Sequence, residues 1–515
     1  MVDGSVNRMP SGTPAFFQTH PRACALILAA SHGSRLFPMT SSEMPKHLLP
    51  VAGIPCILRL LESLAFIPQI VIALSADDSA TVPLLQSTLS TEQSSDQQQQ
   101  QVQPASNDEK SMTVSINGRL KTITVVKLGG HRFGPADALR EIEDMQIIHP
   151  STRLVIFPGD LVFLEKNVMD LDALLRPPSE SDCIVLLVDV GEVDENGAPL
   201  KESAKAKKGA LSRDEEDIEY IALSYPLPSM SFANHSEQKL SLPRILWKKL
   251  KVDVERDEDM TGSTAKLELP KARLRHGKVV VKTSWADVHV YSLPPWTREM
   301  LRSRHGLASI QEDMLQLLIS RQFRGKKSTL GKDLQAITED EDEEEEVTNT
   351  NKGSSKKFPV GEWDDEPFHV GAVVVPSKKV TRANTIASFH YACREAVANG
   401  ESLTMPPRSK WNGKFQTLVG HDSTLGAKIT MKSSVIGKGC QLGAKCRLNN
   451  VVIMDNVIIG ENCSLQNTLI GSGAILGNNC SLNDCQVGPG MELPAGTKEK
   501  GESFVFGDSV VEDLL

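Results

Sequence analysis

The chain has 515 residues, 40% of them hydrophobic, and a formal net charge of −9, which is enough length for two or three domains and enough apolar content for real cores. Eight carboxylates form the unbroken run 339–346, so the rest of the chain is close to neutral. No basic stripe with interleaved aromatic residues stands out, so charge does not point to direct nucleic-acid binding, and no apolar run approaches the ~20 residues that span a bilayer.

The first 25 residues do not combine a basic head, an apolar stretch and a cleavage site, so the expectation is a cytosolic protein with a flexible N-terminus over 1–22. Residues 23–30 read as a buried strand, 56–65 as an amphipathic helix and 69–74 as the next strand, with further strands over 122–127, 153–157 and 183–188. Apolar runs alternating with helical patterns predict an α/β domain over 23–390, built on a parallel sheet covered on both faces. Three stretches poor in core-forming residues, near 88–110, 194–217 and 324–365, read as solvated, disordered insertions. The acidic run lies in the third and reads as a flexible loop able to attract a basic partner weakly. A linker is expected over 391–417.

From Val419 the period changes. Steps of six, six and five meet an apolar residue every time, from Leu425, Met431 and Ile436 through to Leu476, Leu482 and Val487. A 17-residue repeat with three apolar positions describes a solenoid with three flat faces, expected over 418–505 with a tail at 506–515, its coils stacking at about 4.8 Å. An α-helix fails because its apolar step is three or four. Cys440, Cys446, Cys463 and Cys480 each follow an apolar anchor by four residues and are expected to fill the core. Nine cysteines in a reducing compartment do not make a disulfide framework, and metal ligation has no CxxC pair to support it.

The stretch "LILAASHGSRLFPMTSSEMPKHLLPV" carries the first chemical signal. A strand ending in a small-residue loop presents backbone N–H groups to an anion, and glycine permits positive φ and close approach of a phosphate. Ser31, Gly33 and Ser34 form the loop; Arg35 can fork onto phosphates and Lys46 can act as a point charge. In "RLVIFPGDLV", Asp160 follows a strand where a carboxylate can hold Mg²⁺, and Asp287 in "SWADVHVYS" is the best placed second carboxylate. Both positions also suit ordinary turn or solvated aspartates.

Residues 28–51 resemble the signature LAAGxGTRLxPxTxxxPKxLxPV of the nucleotidyltransferases that join sugar phosphates to nucleoside triphosphates. "GPADALR", beginning at Gly134, resembles their GTAxAL segment, and "PGD" their metal-binding aspartate. The resemblance implies a Rossmann-like nucleotidyltransferase domain followed by a left-handed hexapeptide β-helix. A more specific resemblance, through "MPKHLLPVAGIPCILRLLESL", "RANT", "NNVVIMDNVIIGENCSLQN" and "DCQVGPGMELPAGTKEKGES", is to the gamma-type subunits of eukaryotic translation initiation factor 2B. It implies an accessory, non-catalytic subunit that pairs with epsilon and the other subunits of a guanine-nucleotide exchange factor acting on translation initiation factor 2, with no direct nucleic-acid or membrane contact. Only "VFGDSVVEDLL" follows the last β-helix segment, which favours gamma over epsilon, because epsilon continues into a helical exchange domain.

The departures from the enzyme pattern point the same way. Ser31 replaces the first loop glycine, where positive φ would cost about 1–2 kcal/mol. Pro135 replaces a threonine and removes a backbone donor, and the sugar-contacting EKP segment has no clear counterpart. The expectation is therefore no catalytic residues and no required cofactor, with a vestigial pocket at Ser31, Gly33, Ser34, Arg35, Lys46 and Gly134 that can take a nucleotide with Mg²⁺. The alternative is an active Mg²⁺-dependent pyrophosphorylase of the GDP-mannose type. An acyltransferase fits the solenoid alone, and its coils hold no histidine after His421 to act as base.

Overall fold

The computed structural model describes residues 23–31, 33–90, 109–116, 119–129, 134–165, 171–191, 217–225, 242–254, 278–322 and 368–505. Most of the three expected insertions, the N-terminus and the tail lie outside the described residues, although helix 81–90 and strand 109–116 extend into the edges of the first insertion.

The N-terminal sheet has eleven strands: β1 (Ala23–Ala29), β2 (Gln69–Ser75), β3 (Glu109–Ile116), β4 (Arg119–Leu128), β5 (Arg153–Pro158), β7 (Cys183–Asp189), β8 (Glu219–Tyr225), β9 (Arg244–Leu250), β10 (Lys278–Lys282), β11 (Trp285–Leu293) and β12 (Val370–Pro376). Their spatial order is β10-β8-β9-β12-β7-β11-β5-β1-β2-β4-β3. A short β6 (Leu161–Phe163) pairs apart from this sheet with β13 (Val380–Arg382). The centre is parallel, β1 lying between β2 and β5, but β11 runs antiparallel between β5 and β7. The sheet is thus mixed, where a parallel one was expected. The 69–74, 122–127, 153–157 and 183–188 strands fall within β2, β4, β5 and β7.

β1 shows how the layers arise. Ala23, Ala25, Ile27 and Ala29 point into one core and Cys24 and Leu26 into the other, the period-two alternation of a strand buried on both faces. Helices α1 (Cys56–Ser63) and α2 (Thr81–Ser90) cover the first side; α3 (Pro135–Asp144), α4 (Pro295–Ser303) and α5 (Leu315–Arg321) cover the second.

The stretch expected as a linker begins inside a helix. α6 (Ile386–Ala398) carries Phe389, Ala392, Cys393, Ala396 and Val397 on one apolar stripe, the i, i+3, i+4, i+7 spacing of a packed helix. That stripe joins one core with Leu36, Met39 and Leu49 of the N-terminal domain and with Leu418, Val435, Val452 and Leu469 of the solenoid. Thr385 and Ser388 form its capping box. Beyond it, Trp411 Nε1 donates to the Val397 carbonyl at 2.8 Å, and Lys410–Asn412 pairs antiparallel with Thr417–Val419. The segment is docked because it carries its own apolar contacts.

The solenoid has three stacked sheets whose parallel registers all advance by 17 residues, as in Val419↔Ile436 and Ile436↔Ile453. One sheet continues past Val487 to Ser503–Phe504. Cys440, Cys446, Cys463 and Cys480 are buried within it, as expected. The glycines that follow the anchors serve the stacking: a Cβ on Gly443 would lie 2.6 Å from the backbone N of Glu461 in the next coil.

Candidate functional site

The "LILAASHGSRLFPMTSSEMPKHLLPV" segment folds as a strand, a loop and two single-turn 3₁₀ helices, Ser34–Leu36 and Lys46–Leu48. Gly33 adopts φ +84, and a Cβ there would meet the Cβ of Lys46 at 2.9 Å. Glycine is therefore needed at 33 to let the loop close over the stem of Lys46. Ser31 is not among the positive-φ residues, so the strain expected from its Cβ does not arise; it is exposed beside Ser42, Pro45, Ser75, Asp77 and Asp78 in a separate small notch. Ser34 is exposed.

Lys46 and Asp160 are brought into contact. Lys46 Nζ lies 2.8 Å from Asp160 Oδ2, and the Arg382 guanidinium grips the same carboxylate with Nε 3.0 Å from Oδ1 and Nη2 3.0 Å from Oδ2. The backbone completes the joint, Ala383 N donating to the Asp160 carbonyl at 2.8 Å. Burial alone would raise the Asp160 carboxyl, but Arg382 and then Lys46 outweigh it and hold the group well below the usual carboxylate range.

A second buried cluster sits at the neighbouring strands. Lys248 on β9 lies 2.6 Å from Asp287 Oδ2 and 2.9 Å from Glu219 Oε1. Tyr291 donates its hydroxyl to Asp287 Oδ2 at 3.0 Å, and His289 its backbone N–H to Oδ1 at 2.8 Å. Burial would lower Lys248, but Asp287 and Glu219 raise it above its ordinary value. His289 has φ +58 at a bulge in β11, and burial with Arg382 nearby pushes its imidazole down to about 3. It is neutral at physiological pH.

Above these clusters lies a cavity of about 460 Å³ whose lining includes Arg35, Asp217, Glu219, Asp287, His289 and Arg382. Arg35 reaches across its mouth, Nη1 2.6 Å from Asp217 Oδ2, with both side chains exposed. Gly134 lies elsewhere. A Cβ on it would fall 2.2 Å from the Ala308 carbonyl oxygen, which accepts from Ala136 N at 3.1 Å; the glycine is explained by that backbone crossing. Arg140 of the same motif donates to the carbonyls of Leu301 in the last turn of α4, Arg304 at its C-cap and Leu307 beyond it.

The two carboxylates put forward for Mg²⁺ do not fit a divalent ion as they stand. Both oxygens of Asp160 and both of Asp287 already accept from the protein's own donors, and among the described residues no three His, Cys, Asp or Glu converge on one point. Sequence reasoning missed Arg382, Lys248, Glu219 and His289. Arg382 was visible only as the first letter of "RANT", and a lysine within a strand reads as solvent-facing until its neighbours are known.

Residues 24–198 match the family described as nucleotidyl transferase, and residues 408–498 match the one described as the EIF2B subunit epsilon LbH domain. No curated protein matches the chain. The architecture is thus a nucleotidyltransferase domain followed by a left-handed β-helix, the latter similar to the LbH domain of EIF2B subunit epsilon.

Proposed function

We propose that this chain is a gamma-type subunit of translation initiation factor 2B, the guanine-nucleotide exchange factor that recharges translation initiation factor 2 with GTP. In this reading it works in the cytosol as an accessory subunit, paired with epsilon and assembled with the complex's other subunits. It makes no direct contact with nucleic acid or membrane. Its transferase chemistry is lost and no cofactor is required.

The observation that carries the reading is Asp160. A transferase aspartate in this place must offer oxygen to a metal held with substrate phosphates; here Lys46 and Arg382 hold both oxygens. The match of residues 408–498 to an EIF2B LbH domain supports the assignment to that complex. The shared core around α6 supports an assembly role, since it packs the N-terminal domain on one face of the β-helix. A second face stays exposed at Ile458 and Ile475, where a partner surface can seat.

Co-expression with an epsilon-type subunit tests the proposal: the two should co-purify, and failure to do so would sink it. The competing enzyme reading is tested by pyrophosphate release from GTP or UTP with sugar 1-phosphates. Turnover that disappears in an Asp160→Asn variant would overturn the loss of chemistry.

A further inference from the structure

The two buried clusters together hold three carboxylates, Asp160, Asp287 and Glu219, and three basic side chains, Lys46, Lys248 and Arg382. Their charges cancel. Buried charge is tolerated only when paired and hydrogen-bonded, so a divalent ion entering this set would leave two uncompensated positive charges among buried groups. Arg382 is the member that closes the balance between the clusters: it forks onto Asp160 and lies within electrostatic reach of Asp287. Its planar five-donor head matches a carboxylate's two oxygens.

We infer that Arg382 takes the place of a divalent cation in this pocket, making it metal-independent, and that a neutral residue at 382 turns Asp160 into part of a divalent-cation site. The balance gives the sign. Without Arg382 the remaining five groups carry one net negative charge, Asp160 Oδ1 loses its side-chain donor, and only the Lys46 side chain remains on that carboxylate. A divalent cation bound there leaves one net positive charge, where in the wild type it would leave two, so loss of the guanidinium shifts the balance towards binding. This inference rests on the pocket alone and holds whichever complex the chain serves in.

The test uses the full chain and Mn²⁺ as probe, with free Mn²⁺ followed by electron paramagnetic resonance and thermal melting compared in EDTA and in Mn²⁺. The wild type should show no Mn²⁺ binding that depends on Asp160 and the same melting point in both buffers. Arg382→Gln should melt lower in EDTA, recover in Mn²⁺, and bind a single ion at least about tenfold more tightly than wild type, equivalent to ~1.4 kcal/mol; adding Asp160→Asn should abolish that binding. Arg382→Lys, which keeps the charge, should stay indifferent to Mn²⁺. Binding to the wild type that survives Asp160→Asn originates elsewhere in the chain and agrees with the inference. Binding to the wild type that is lost in Asp160→Asn overturns it, and so does a folded Arg382→Gln protein that ignores Mn²⁺. If Arg382→Gln does not fold, the wild-type, Asp160→Asn and Arg382→Lys measurements still decide.

Discussion

Arg382 and Asp160 meet fork to fork, with Nε 3.0 Å from Oδ1 and Nη2 3.0 Å from Oδ2 on a fully buried carboxylate. Removing one partner of such a pair leaves the other charged and dry, which costs about 3–5 kcal/mol. Asp160→Asn strands Lys46 as well as Arg382, so it should lie in that range by urea denaturation. The Arg35–Asp217 pair gives the contrast. It is shorter, at 2.6 Å, but its side chains are 50% and 40% exposed, and Arg35→Ala should cost less than about 1 kcal/mol. Equal losses in the two variants would mean that Asp160 is not held as the geometry states.

Gly134 separates packing from ligand contact. A methyl group there meets the Ala308 carbonyl at 2.2 Å, and because that oxygen is backbone, relief requires α3 to shift. Gly134→Ala should destabilise by roughly 1–3 kcal/mol, in the absence of any nucleotide. Gly306, where nothing lies within 4 Å of an added Cβ, should accept alanine without loss. A Gly134→Ala protein as stable as wild type would return this glycine to a ligand-facing role.

The two domains were unequally legible. The 17-residue period transferred directly into strand register, as in Ile453↔Ile470 and Ile470↔Val487, because each coil contacts only its neighbours and sequence spacing becomes spatial spacing. Strands β1, β2 and β5 were equally readable from their apolar runs. The ion clusters were not: Lys248 meets Glu219 and Asp287 only because β9 pairs with β8 and β11 lies close by, a pairing no local pattern encodes. The loop around Ser31 and Gly33 was readable as a fold feature, but what its glycine faces, the stem of Lys46, depends on tertiary closure. The later part of α6 was lost for a simpler reason, since a domain boundary at 390/391 was placed across its apolar stripe.

The solenoid's corners make a prediction that the glycine pattern alone did not suggest. Three columns at 17-residue spacing hold positive φ: Asp422, Gly439, Asn456, Gly473 and Gly490 in one, with parallel columns through Asn462 and Asn467. Asparagine tolerates this backbone, and its amides also form ladders, Asn450 Nδ2 to Asn467 Oδ1 at 2.7 Å and Asn467 Nδ2 to Asp484 Oδ1 at 2.8 Å. Asn467→Gly should lose little, the ladder bonds being exposed. Asn467→Val places a β-branched residue at φ +50 and should cost about 1–2 kcal/mol or more. Thermal melting of the two variants separates backbone strain from the ladder: if glycine proves as damaging as valine, the amide bonds carry the corner.

His390 links acidity to the union of the domains. It lies on α6, half-buried, with Nε2 donating to the Asn450 carbonyl of the β-helix at 3.0 Å. Burial, with Arg394 beside it, pushes its pKa down from 6.5 to about 4, against a smaller upward pull from that carbonyl. The unfolded chain therefore binds a proton at this residue across that window while the folded chain does not, and stability must fall as pH drops from about 6.5 towards 4. Above the window the residue contributes no pH dependence. The full effect is at most ~3 kcal/mol, and partial exposure of the ring reduces it. Glutamine can keep a donor for Asn450 without titrating, so His390→Gln should match the wild type near neutral pH and lose about 1–2 kcal/mol less on acidification. Urea denaturation at several pH values reads this directly. Parallel stability profiles for the two proteins would show that the acid sensitivity originates at other groups, and would remove His390 as a proton-sensitive contact between α6 and the β-helix.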